Sequence, residues 1–182
     1  EKNKISAQTS RRENRIQKYK NLADTAEQRK SLAQAGKENA GTAEDKNGYI
    51  EQEKESIETS YEYQIRIARL KKDSLEADRL MAEKTKELLD LEIEQHQNLA
   101  DKHQSLLDQY SAEKELAANA SKKNAIIAQE QAATKDLYAE KIAIAGLEGS
   151  IREQQQLQAE HSPHLRALAV EAHQNLGAGS QG

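Results

Sequence analysis

Apolar side chains are sparse in this chain, and they recur at helical spacing rather than in alternation. From residue 3 to 34, Ile16, Tyr19, Leu22, Ala23, Ala26 and Ala33 fall on one side of a helix. The stripe is too thin to hold that helix on its own, so it requires a partner surface. The pattern then stops at AGKENAGTAEDKNG, residues 35 to 48, which has three glycines, an Asn-Gly pair and no large apolar side chain. Gly36 reads as a helix stop, giving a basic N-terminal helix over 1–35 and a Gly-rich loop over 36–48. The loop could turn an antiparallel hairpin, with residues 50 to 85 as the partner surface. The alternative is a joint between elements that pair with other chains.

Residues 49 to 160 predict a long coiled-coil helix. No proline interrupts them, and strong helix formers fill the stretch. As a single helix, residues 50 to 145 would span about 144 Å at 1.5 Å per residue. A seven-residue row runs through Tyr61, Ala68, Leu75, Ala82, Leu89, His96, His103 and Tyr110. A second row passes through Leu99 and Leu106 further along. The stronger stripe therefore slides around the helix, which argues against a strict two-stranded zipper. Breaks are expected near 119–124 (NASKKN) and 145–150 (AGLEGS), with helix favoured through the first. HSPHLRALAVEAHQNLG then predicts a short helix over 161–177, with Ser162 as its cap, Pro163 at its first position and Gly177 at its end. Residues 178 to 182 read as a flexible tail.

Composition narrows the fold further. There are 27 alanines, one Met, and no Phe, Trp or Cys. Side chains of that kind do not build an ordinary globular core. The expected class is all-α, with long extended helices forming coiled coil or an antiparallel hairpin or bundle, and no compact globular core. Tyr61, Leu75, Leu89, Leu99, Leu106 and Tyr110 are the candidate helix–helix interface, within one chain or between chains. The expected partners are further copies of the chain or other helical proteins. No stretch approaches the roughly 20 apolar residues of a membrane span.

Charge is uneven although the net value is −4. Residues 1 to 30 carry nine Lys and Arg against four acids. Arg11, Arg12, Arg15 and Lys18 share one side of the first helix and are the candidate partner-binding face. Such a face suits an acidic surface, nucleic acid or anionic lipid, though aromatic content there is low for a nucleic-acid reader. A solvated helix face is the competing reading. His96 and His103 share a face but lie about 10.5 Å apart along it, too far for one metal. His161 and His164 flank Pro163 in a poor chelating arrangement. No phosphate loop, HExxH or nucleophile elbow is present, so no catalytic residue, metal site or cofactor is expected.

Two segments carry a resemblance: YIEQEKESIETSYEYQIRIARLKKDSLEADRLMAEKTKELLDLEIEQHQ and AEKELAANASKKNAIIAQEQAATKDLYAEK. In their Ala/Gln/Lys/Glu richness and broken coiled-coil style, residues 49 to 160 resemble segments of tail tape-measure proteins of long-tailed bacteriophages. The resemblance implies a non-enzymatic structural protein of a phage particle. It would be a helical multi-chain rod that sets tail length, found in the virion or in the cytoplasm during assembly. Such proteins are usually much longer, so this chain would be a portion. Scaffolding proteins, secretion-system rods and helical binding modules that dock through the basic face fit the same features.

Overall fold

The computed structural model describes residues 2–179. Helices α1 (Lys2–Asn39), α2 (Ala43–Leu70), α3 (Ser74–Leu116), α4 (Ala120–Leu147) and α5 (Ile151–Gly179) follow one another through turns of three residues each. No strand occurs among the described residues. The all-α expectation holds, but several boundaries differ.

The expected loop over 36–48 shrinks to Ala40–Thr42. Gly36 stays helical and serves close packing instead: a Cβ there would lie 2.3 Å from the Tyr49 ring. Thr42 starts α2 by accepting a hydrogen bond from the Asp45 backbone N–H at 3.1 Å. Glu44 and Asp45 add negative charge at the positive end of the helix dipole. That cap outweighs the presence of Gly48 inside the first turns.

The single helix expected across 50–145 is broken at 71–73 and again at 117–119. The first break has neither glycine nor proline. Lys72 adopts φ 60 there. The Asp73 N–H reaches the Ala68 carbonyl at 2.9 Å and the Lys72 N–H reaches that of Arg69 at 3.0 Å, a Schellman ending. The Asp73 carboxylate then caps α3 by accepting from the Glu76 N–H. The second break, at 117–119, overlaps the start of the 119–124 stretch, through which helix was favoured, because Asn119 caps α4 by accepting from the Lys122 N–H. The break expected at 145–150 falls at Glu148–Ser150, with Gly149 at φ 75.

No short helix begins at Ser162. Pro163 lies inside α5, and Gly177 does not end it. The His161 and His164 rings on either side of Pro163 pack against Tyr138 of α4. Tertiary contact thus carries the helix past the lost backbone donor. Of the expected flexible tail, 178 and 179 continue α5 and the rest lies outside the described residues.

The boundaries expose a period. Ala43 and Ala120, Leu70 and Leu147, Ser74 and Ile151, and the ends Asn39 and Leu116 are each 77 residues apart. The turn chemistry repeats at the same step. The two Schellman endings match bond for bond, and Thr42 and Asn119 are equivalent caps, as are Asp73 and Ser150. Buried positions recur too, at Ala23 and Ala100, Ile50 and Ile127, Glu53 and Glu130, and Ala68 and Ala145.

The chain divides into two units, residues 1–92 and 93–182, so that α3 contributes to both. In the first unit α1 runs antiparallel to α2: Gly36 meets Tyr49 at one end, while Tyr19 stacks on Tyr63 further back. Ala23, Ala26 and Ala33 are buried along α1 and let the two helices approach closely. Ile50, Ile57, Tyr61, Ile65 and Ala68 of α2 form one core with Ala77, Leu80 and Leu91 of α3. Ile50 and Ile57 are almost fully enclosed, each worth about 1.5–3 kcal/mol of burial.

The second unit repeats this plan with the rest of α3, then α4 and α5. Its buried apolar residues include Ala100, Ile127, Ala133, Leu137 and Ala145. The α4–α5 pair is antiparallel, with Gln154 donating to the Ile142 carbonyl at one end and Asn175 bonded to Asn124 at the other.

Candidate functional site

The chemistry most specific to this fold is a buried lysine–carboxylate layer that occurs once in each unit. Glu53 of α2 is 3% exposed and accepts from Gln34 Nε2 at 2.7 Å and Lys37 Nζ at 3.0 Å, both on α1. Seventy-seven residues on, Glu130 of α4 is 5% exposed and accepts from Lys114 Nζ of α3 at 2.8 Å. Lys114 also donates to Glu171 of α5 at 3.0 Å, which ties three helices together. Burial opposes the charge on Lys114, but hydrogen bonds from the ammonium to Glu130 and Glu171 outweigh it and raise its pKa. Desolvation offsets much of the attraction in such a pair. Sliding either helix by a turn would strand a buried carboxylate, which penalises a shifted register.

A second polar network belongs to the first unit. Tyr61 donates its hydroxyl to Glu87 Oε1 at 2.7 Å, and Lys30 Nζ donates to Oε2 at 2.9 Å. Burial and the bond to Glu87 both raise the Tyr61 pKa. For Glu87, burial disfavours the charge, yet the bonds from Lys30 and Tyr61 and the Lys30 charge win, and its pKa is lowered. The equivalent place in the second unit has different chemistry: Tyr138 faces His164, with ring centroids 6.2 Å apart. Likewise Tyr19 stacks on Tyr63 at 5.6 Å beneath Arg66 in the first unit, whereas His96 Nδ1 pairs with Glu140 in the second. The positions of contact recur while the groups filling them change.

The expected basic face lies on α1, where Arg11, Arg12, Arg15 and Lys18 are all exposed. Every residue from 3 to 15 is exposed. Asn3, Arg11 and Asn14 stand where α3 has Leu80, Leu88 and Leu91, which pack in the first-unit core. This stretch therefore lacks the side chains for a third-helix role.

Of the expected interface residues, Tyr61 is buried in the first core, and Leu89, Leu99, Leu106 and Tyr110 are half-buried. Leu75 is 81% exposed and takes no part in the packing of its unit. The reversal at 71–73 resets the helical phase, so Ala77 and Leu80 face the core and Leu75 points the other way. Glu87, although flanked on α3 by Lys84 and Lys86, holds Tyr61 and Lys30. His96 and His103 do not meet, and no cluster of three metal-capable side chains exists among the described residues. No described helix is long and apolar enough to cross a membrane.

The buried carboxylates were not singled out by their sequence surroundings alone. Their signal is recurrence: Lys-Glu at 37–38 returns at 114–115, and Gln-Glu at 52–53 returns at 129–130. No protein-family model, curated protein or solved structure matches the chain.

Proposed function

We propose that this chain is a non-enzymatic structural segment whose working property is the repetition of one helical module. In its most concrete form it is a length-setting segment of a phage tail. The observation that supports this reading is the 77-residue period of caps, turns and buried carboxylates. In a repeat protein each module packs mainly on its neighbours, so modules add without redesign of the rest. A length-setting part needs that property and asks little else of its side chains. The ruler is counted in modules here, not in turns of one unbroken helix.

The test removes residues 43–119, which joins Thr42 to Ala120 and reproduces the Asn119–Ala120 junction. A second variant duplicates the same segment. Assembled particles are expected to shorten by a fixed increment in the first case and to lengthen by the same increment in the second. Particles of unchanged length would reject the ruler role.

A binding module is the second reading, favoured by the fully exposed basic stretch of α1. Replacing Arg11, Arg12, Arg15 and Lys18 with Ala would then abolish a salt-sensitive association with an acidic protein or nucleic acid and leave helicity intact. Retained association in that variant would remove this reading.

A further inference from the structure

One nine-residue pattern occurs three times at successive steps of 77: IQKYKNLAD from Ile16, IEQHQNLAD from Ile93 and VEAHQNLGA from Val170. Its first two occurrences lie in the first helix of a unit, against that unit's second helix. Tyr19 stacks on Tyr63 of α2 and Ala23 is buried. His96 pairs with Glu140 of α4 and Ala100 is buried. At the third occurrence no α2- or α4-type helix lies over Val170, His173 and Leu176 among the described residues. Val170 is 55% exposed, Leu176 is 61% exposed, and His173 and Gly177 are exposed as well.

We propose that Val170, His173, Leu176 and Gly177 form a docking surface for a helix of the α2/α4 type, the second helix of a further copy of this module. The pattern carries the features that such docking uses. Gly177 takes the place of Ala23 and Ala100, where a small residue lets two helices come close. His173 takes the place of Tyr19 and His96, each of which meets a side chain of the covering helix. Leu176 takes the place of Leu22 and Leu99, both half-buried. A folded second copy of the chain is a poor occupant, because its own α2 and α4 already lie against their Ala23 and Ala100 stripes. The occupant is a module whose second helix is otherwise uncovered.

The experiment inserts a copy of residues 101–147 after Gly177 of the full chain, so that Leu-Gly-Asp continues as Leu99, Ala100 and Asp101 do. The chain has no native cysteine, so Leu176→Cys supplies a single thiol. Insertion is expected to add helix by circular dichroism and to slow thiol labelling at position 176 by about tenfold or more. Labelling of Leu75→Cys, on the exposed side of α3, should not change. Placing Ile127→Asp within the inserted copy alone should restore fast labelling. The proposal is overturned if the insert stays unfolded, if labelling is not slowed, or if the slow rate survives that Asp. It is equally overturned if Leu176→Cys in the uninserted chain becomes protected as the chain self-associates, since the occupant would then be a second whole copy.

Discussion

Lys72 is the clearest single-residue cost in the chain. It holds a left-handed φ of 60 at the α2–α3 turn, where the equivalent residue at the α4–α5 turn is Gly149. An L side chain in that region costs roughly 1–2 kcal/mol. Lys72→Gly is therefore expected to stabilise the first unit by about 1 kcal/mol, and Gly149→Lys to weaken the second by a similar amount, both read from thermal melting. A neutral Lys72→Gly would show that the backbone there is unstrained. Pro163 makes a parallel case inside α5. Pro163→Ala should raise the melting temperature of the second unit, by up to about 3 kcal/mol in stability. Glu87 gives a pH test. Its folded pKa is lowered, so its contribution is present above the ordinary glutamate pKa and is lost as pH falls through the folded value. Acid should weaken the first unit in that window, and Glu87→Gln should flatten that part of the profile. An unchanged acid limb would mean that the Lys30–Glu87–Tyr61 network contributes nothing.

At the scale of the elements, helix type was legible and helix ends were not. Long runs of Leu, Ala, Glu, Lys and Gln at helical spacing identified the class correctly. Glycine and proline are the strongest marks of a break, yet the turn at 71–73 uses a lysine in a left-handed conformation followed by an Asp cap. Conversely, Gly36, Gly48 and Pro163 lie within helices, because packing against Tyr49 and Tyr138 and the Thr42 cap decide those places. The seven-residue row fails at Leu75 because the turn at 71–73 interrupts it. The polar layers were illegible one at a time, since a buried glutamate looks like any other on a helix rich in them. The repeat also makes a comparative test available. Ile50→Ala and Ile127→Ala remove equivalent, almost fully enclosed side chains. Each should cost about 2–5 kcal/mol, with each loss confined to its own unit in hydrogen exchange. A large cost at one position and none at the other would break the equivalence of the two cores.

Across the whole molecule, helix ends, caps and buried positions recur at a step of 77 residues. The period is written in the sequence, in NLAD at 21–24 and 98–101 and in HQNL at 96–99 and 173–176. Its offset stands out once the helix ends are placed, since the intervening side chains have diverged as far as Leu80 against Asn3. The most direct measurement is the solution behaviour of the chain from which residues 43–119 have been removed. Thr42 then leads straight into α4, and α1, α4 and α5 must together form a single unit of the observed kind. The expected result is a helical protein that melts in one cooperative transition, with slow hydrogen exchange along 127–145, as in the parent chain. A chain of low helicity, or one without protected amides in that stretch, would contradict the modular claim, because the two first helices would not be interchangeable.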